Sequence, residues 1–251
     1  LDLKVKQLRW NRWDTCSLCE QQYHGVVYCA LGWACWKTYL GRPEADEARG
    51  MAMSRLGVGL SSAERHADAL TVREAELSMI LRVGAPTFNI LAVQANLATT
   101  YSALGRTDQS QRLKREVYYG YKELLGEEHE HTILVAENYA WSLIDLRRFE
   151  EAKTLLQKMV LVAQRVHGET DIRTIKMQVS HASALCMDPC ATLDDLQVAV
   201  TSLEERERIA RRVLGGTHPT TGGIEGAQQE ARAALRARET PSPRCVKYRV
   251  T

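Results

Sequence analysis

Cys16 and Cys19 form a C-x-x-C pair near the start of the chain. At this spacing two thiolates reach one tetrahedral zinc ion, but one such pair is only half a site. The nearest further ligand candidates are His24, Cys29 and Cys35. Residues 26–40 read as a helix with Val27, Leu31 and Trp36 as packing positions, and Cys29 and Cys35, six residues apart, fall on different faces of it. Zinc at Cys16 and Cys19 is thus one expectation, and a metal-free helical cap is the other. His129, His131, His167 and His218 stand at links between helical patterns, and none belongs to an H-E-x-x-H spacing. His181, Cys186 and Cys190 fall near one turn, with Pro189 between the two cysteines, which suits either a loop thiol pair or simple packing. There is no G-x-S-x-G, no phosphate-cradling glycine loop and no dinucleotide fingerprint. These patterns predict a protein that is not an enzyme.

The elements that must carry these residues are helical. Only two of the 251 residues are Phe, whereas Ala, Leu, Arg and Glu abound, a bias that favours helix. Hydrophobic residues make up 45% and charged residues 25%, ordinary for a globular chain. The 33 basic and 31 acidic residues leave a net charge of +2. That is too weak a field to recruit nucleic acid or an anionic membrane, and no basic groove with interleaved aromatics appears. No apolar run reaches the ~18–20 residues of a membrane span, and the N-terminus lacks the apolar core of a signal peptide. It also lacks a starting Met, as a fragment or an incomplete gene model would. The seven cysteines are an odd number, and their grouping does not suit a secreted disulfide framework. A cytoplasmic protein with reduced thiols is expected.

The chain repeats itself. Leu124 opens LLGEEHEHTILVAENYA, Arg165 opens RVHGETDIRTIKMQVSHA, Arg212 opens RVLGGTHPTTGGIEGA, and a less regular copy starts at Leu81. Gly84, Gly126 and Gly168 recur every 42 residues, and Gly215 follows after 47. Each period holds two helical patterns. The first covers residues 88–104, 131–146 and 174–187, and the second covers 108–125, 149–167 and 193–214, with apolar residues at spacings of three and four. Short turns such as 105–107 and 146–148 make the two helices antiparallel neighbours. The recurring Gly is the expected C-cap, and the Thr six residues on (Thr132, Thr174) is the expected N-cap of the next helix. Residues 187–195 lengthen one turn: Pro189 ends a helix, and Thr192, with Asp194 and Asp195 behind it, starts the next. A degenerate copy at 44–60 and 64–82 precedes these repeats, and a capping half-repeat at 220–238 follows them.

Helical hairpins stacked end to end predict an all-α fold, an α-solenoid. Residues 95–113 (ANLATTYSALGRTDQSQRL) and 137–156 (ENYAWSLIDLRRFEEAKTLL) resemble the tetratricopeptide repeat. The period of 42, the LG-x-x-H-x-x-T link and the N-L-A motif resemble its kinesin light chain type. The resemblance covers about residues 44–238. It implies a protein-interaction scaffold whose first helices line a concave groove for a peptide or partner segment. It further implies that the Asn of N-L-A faces that groove and bonds the peptide backbone, for which an amide supplies both a donor and an acceptor. The matching residues are Asn96 and Asn138; the neighbouring copies carry Arg55 and Ser180 in register, so the Asn ladder holds in two of four repeats. The alternative is that Asn96 and Asn138 serve local helix contacts. Residues 13–44 resemble the last part of a RING-variant zinc domain, in which a Trp precedes the final C-x-x-C and a helix follows. That implies a second reading, the substrate-recruiting part of a ubiquitin-ligase-like protein.

The expected organisation is a Cys- and Trp-rich segment at 1–43, a repeat solenoid with its capping helix at 44–239, and a disordered tail at 240–251. The expected partners are proteins or peptides, not nucleic acid or membrane, and no cofactor is expected beyond zinc at Cys16 and Cys19.

Overall fold

The computed structural model describes residues 10–239 of the 251; the expected tail, 240–251, lies outside them. Among the described residues there are ten helices: α1 Gly25–Tyr39, α2 Glu47–Ser62, α3 His66–Arg82, α4 Thr87–Ala103, α5 Thr107–Leu125, α6 Glu130–Asp145, α7 Phe149–His167, α8 Ile172–Met187, α9 Leu193–Leu214 and α10 Pro219–Glu239. They form two compact units, Leu1–Gly120 and Tyr121–Thr251, with the boundary inside α5. No described helix is long and apolar enough to cross a membrane. The fold is all-α and built of antiparallel hairpins, as the 42-residue period predicts.

In the first unit α1 packs on α2, α2 on α3 and α3 on α4. The half-buried Trp36 touches three small cores at once: one around Trp10, Cys35 and Tyr39; one around Cys29, Leu56 and Leu60; one around Met53, Met79 and Val93. The buried face of α1 differs from the expected one. It consists of Cys29, Gly32, Cys35 and Tyr39, while Val27 is 52% exposed and Leu31 only half-buried. The reason is close backbone approach. A Cβ on Gly32 would lie 3.0 Å from the Arg55 carbonyl oxygen, and one on Gly59 would lie 2.8 Å from that of Tyr28. The small residues therefore turn inward, and the β-branched ones are left outside.

In the second unit the first helices of the hairpins, α6, α8 and α10, lie side by side, and α7 and α9 pack behind them. Ile175, Ala182, Leu203, Ala210 and Ile224 centre its core. The links carry the expected left-handed glycines, with φ +85° at Gly168 and +90° at Gly215, and each is the C-cap of its helix. The N-caps are not the expected threonines. The Asp171 carboxylate accepts the Arg173 N–H at 2.8 Å, and the Nδ1 atoms of His129 and His218 accept the N–H groups of His131 and Thr220, both at 3.2 Å. Thr132 and Thr174 lie three residues further in and are fully buried. The Thr132 hydroxyl donates to the Gly126 carbonyl at 2.8 Å, and its counterpart Thr221 donates to Gly215 at 2.9 Å. The Thr174 hydroxyl reaches the Ala163 carbonyl instead. A buried hydroxyl in the first turn can satisfy a helix-end carbonyl that would otherwise lack a partner. After Pro189 the chain behaves as expected: Thr192 and Asp195 form a complete capping box.

Candidate functional site

The candidate binding residues sit on first helices, one per hairpin. In the first unit Asn96 lies mid-α4 and is half-buried, and its side-chain amide has no hydrogen-bond partner among the described residues. Its backbone carbonyl is engaged by the Thr100 hydroxyl at 3.1 Å and by the Arg73 guanidinium of α3. Arg55, on α2, is committed within the chain: its guanidinium donates to the Asp14 carboxylate at 2.6 Å, which also accepts the Tyr28 hydroxyl at 2.8 Å.

In the second unit Asn138 is exposed on α6, again with no side-chain partner among the described residues. Leu134, 56% exposed, lies one turn before it, and the half-buried Trp141 lies three residues after it, on the same face. Ser180 occupies the matching place on α8 but is buried. Its hydroxyl accepts the Trp141 indole N–H at 3.1 Å and donates to the Glu137 carboxylate at 2.6 Å. That network fixes the Trp141 ring beside Asn138. The register from Asn138 to Ser180 is visible in the sequence, whereas the tie between Ser180 and Trp141 depends on side-chain direction and is not.

The cysteines separate into two environments. Cys16 and Cys19 share a tight turn closed by the Cys16 N–H on the Gln21 carbonyl and the Glu20 N–H on the Cys16 carbonyl, both at 2.9 Å. Backbone N–H groups of Cys19 and Leu18 lower the Cys16 thiol to about 7. Backbone donors aimed at the sulfur favour its anion, the form that binds zinc. However, no group of three His, Cys, Asp or Glu residues able to hold a metal occurs among the described residues. Cys29 and Cys35 are buried in the α1–α2 seam, where burial pushes the Cys35 thiol up to about 11. The described residues therefore offer zinc two ligands and do not by themselves complete a tetrahedral site. Near the other turn, Cys186 is half-buried against the second core, with its thiol raised to about 11 by burial, and Cys190 is exposed. His181 is held below its ordinary value by burial and by Lys153.

Buried charge is a feature that pattern reading passes over. Arg73 and Glu76 on α3 are 4% and 2% exposed. With residues 67–70 aligned to 150–153, they take the places of Leu156 and Met159 in α7, both fully buried. That register was the available signal: two charges at apolar core positions. In the second unit Arg206 occupies the Met159 place in α9 and donates to Gln178 at 3.0 Å.

The tetratricopeptide repeat family model matches residues 87–160, from the start of α4 into α7. No curated protein matches the chain. Among solved structures the chain is similar to the nearly identical TPR-like repeats of a putative kinesin light chain from Podosopora anserina. One crystal structure of these shows 20% identity over 76% of this chain and 88% of that one, with a TM-score of 0.64. A second shows 18% identity over 80% and 100%, with a TM-score of 0.59. The chain is also similar to BtubC (BKLC) from P. vanneervenii, at 16% identity over 90% and 93%, with a TM-score of 0.65. Residues 87–160 are thus tetratricopeptide repeats, and the hairpins around them share the fold of kinesin light chain-like repeat proteins. Such repeats generally mediate contacts between proteins.

Proposed function

We propose that the chain binds extended peptide or partner segments on the first helices of its hairpins, with Asn96 in the first unit and Asn138 in the second each bonding a peptide backbone. The observation that carries this reading is that both amides lie in register one period apart, and neither has a hydrogen-bond partner among the described residues. An amide open to solvent on a helix face can donate and accept at once, as a peptide backbone requires. Leu134 and the Trp141 ring beside Asn138 supply apolar surface for a side chain of the ligand. Arg55 and Ser180 act within this reading as supports, since each is bonded inside the chain. Selection of peptides from a library on the full chain tests it. Sequence-selective ligands whose affinity falls at least about tenfold in Asn96→Ala/Asn138→Ala are expected, the loss of two hydrogen bonds at roughly 1 kcal/mol each or more. Equal binding by a folded double variant rejects the role of the amides.

A second reading is favoured by the thiol turn alone: Cys16 and Cys19 hold zinc together with ligands from elsewhere, in a ubiquitin-ligase-like adaptor. Stoichiometric zinc in the purified chain, lost in Cys16→Ser/Cys19→Ser, is the outcome it requires.

A further inference from the structure

Arg73 and Glu76 are three residues apart on α3, close enough to meet on the helix surface, and both are buried. They do not pair. The Arg73 guanidinium turns to α4, where it donates to the Asn96 carbonyl and the Thr100 hydroxyl. The Glu76 carboxyl turns to α2, where one oxygen accepts the Ser54 hydroxyl and the other, Oε2, has no partner. A buried carboxylate with an unsatisfied oxygen is costly, and the protonated acid is the form this arrangement suits. Burial accordingly raises the Glu76 carboxyl to about 7, against the lowering effects of Ser54 and Arg73.

The other titratable groups of these helices are engaged elsewhere or stand at helix ends: Glu47 is exposed at the start of α2, and His66 opens α3, ten residues before Glu76. Helix α4 carries no Asp, Glu, Lys, Arg or His. On α2, Arg55 is bonded to Asp14, and Arg49 is bonded to the Arg42 carbonyl and lies near Glu44. On α3, Glu74 accepts the Tyr101 hydroxyl, Asp68 pairs with Arg65, and Arg82 pairs with Glu44. Among the described residues, the charge that acts on the Glu76 carboxyl is that of Arg73, which lowers it.

We propose that Arg73 and Glu76 form a proton-operated switch in the first unit. With the Glu76 carboxyl protonated, Arg73 locks α3 to the Asn96 carbonyl of α4; with it ionised, the proton passes to solvent and the guanidinium turns to the carboxylate. Of the two acceptors that Arg73 leaves, the Asn96 carbonyl keeps the Thr100 hydroxyl as a donor, and the Thr100 hydroxyl keeps the bond it donates there. The exchange therefore trades the two contacts to α4 for a pair with the carboxylate, without leaving either α4 group unbonded. Its consequence for binding rests on the reading of Asn96 as a peptide contact: the lock holds the backbone of that residue, so ligand affinity in the first unit falls as the lock opens.

The test follows Glu carboxyl ¹³C and Arg guanidinium ¹⁵N resonances of the full chain, without peptide, from about pH 5 to about pH 9. Glu76 is expected to titrate near neutrality, with the Arg73 resonance moving at the same midpoint. In Glu76→Gln the Arg73 resonance is expected to keep its acid position at every pH. Glu76→Met, which installs the residue found at the matching place in α7, serves the same purpose if the Gln variant does not fold. Titration of Glu76 in the ordinary carboxylate range, or an Arg73 signal that stays still while Glu76 titrates, overturns the proposal. A library-selected peptide, read at both ends of the range, then reports the consequence. Failure to find any peptide rejects the binding reading and leaves the switch to be decided by the resonances alone.

Discussion

The buried side chains of this protein make predictions at the level of single atoms. Thr132 and Thr221 each donate a hydrogen bond to the carbonyl of a glycine six residues earlier. Thr132→Val keeps the shape, removes the donor and leaves that carbonyl without its bond, at a cost of about 1–2 kcal/mol. Denaturant unfolding of the variant measures it, and an unchanged midpoint would show that water replaces the hydroxyl. Glu76 has the opposite sign of effect. Its folded-state carboxyl is raised from 4.5 to about 7, so between these values the unfolded chain ionises before the folded one does. The first unit then loses stability as pH rises through that window and has its full share below it. The interval corresponds to about 3 kcal/mol at most. Glu76→Met is expected to flatten this dependence, which parallel melts of variant and wild type at acid and neutral pH detect. A loss on the acid side instead would mean that the carboxylate is the form the fold prefers.

At the scale of helices and turns, the sequence shows most of the architecture and misses what depends on close approach. The period of 42 locates every hairpin from α4 to α9, because repeats that bury the same face must repeat the same apolar spacing. The Thr192 cap is visible because its chemistry is local. The packing face of α1 is not visible. Cys29, Gly32 and Cys35 are poor hydrophobic markers beside Val26 and Val27, yet they let two backbones meet. The candidate site divides in the same way: the Asn96 and Asn138 register can be read from spacing, whereas the Ser180–Trp141–Glu137 network and the engagement of Arg55 depend on side-chain direction. Two predictions belong to this scale. Gly59→Ala sets a methyl group against the Tyr28 carbonyl, a backbone atom that cannot rotate away; a loss of about 1–3 kcal/mol is expected from overpacking. Conversely, Arg147 holds φ +57° in the turn between α6 and α7, where the preceding hairpin has Gly105 at +70°. Arg147→Gly removes the strain of a left-handed side-chain residue and should stabilise by up to about 1 kcal/mol. A lower melting temperature in this variant would show that the lost side chain matters more than the relieved backbone.

For the molecule as a whole, stability should be local in the way repeat proteins are local. The described helix pairs that pack on one another are sequence neighbours or the next first helix along: α2 on α3, α3 on α4, α7 on α8, α8 on α9 and α10. Where contacts reach only the adjacent element, free energy is close to a sum of repeat and interface terms, and distant lesions add without coupling. Gly59→Ala, inside the first unit, therefore serves as a probe of the second. Amide exchange should quicken across α1, α2 and α3 in the variant, while protection in α7, α8 and α9 stays at the wild-type level, because their core of Ile175, Ala182 and Leu203 lies wholly within the second unit. If α7 to α9 lost protection to the same extent as α2, the chain would unfold as one cooperative body. A ligand bound by one unit would then stabilise the other, and the two Asn positions would have to be treated as one coupled site instead of two separate footholds.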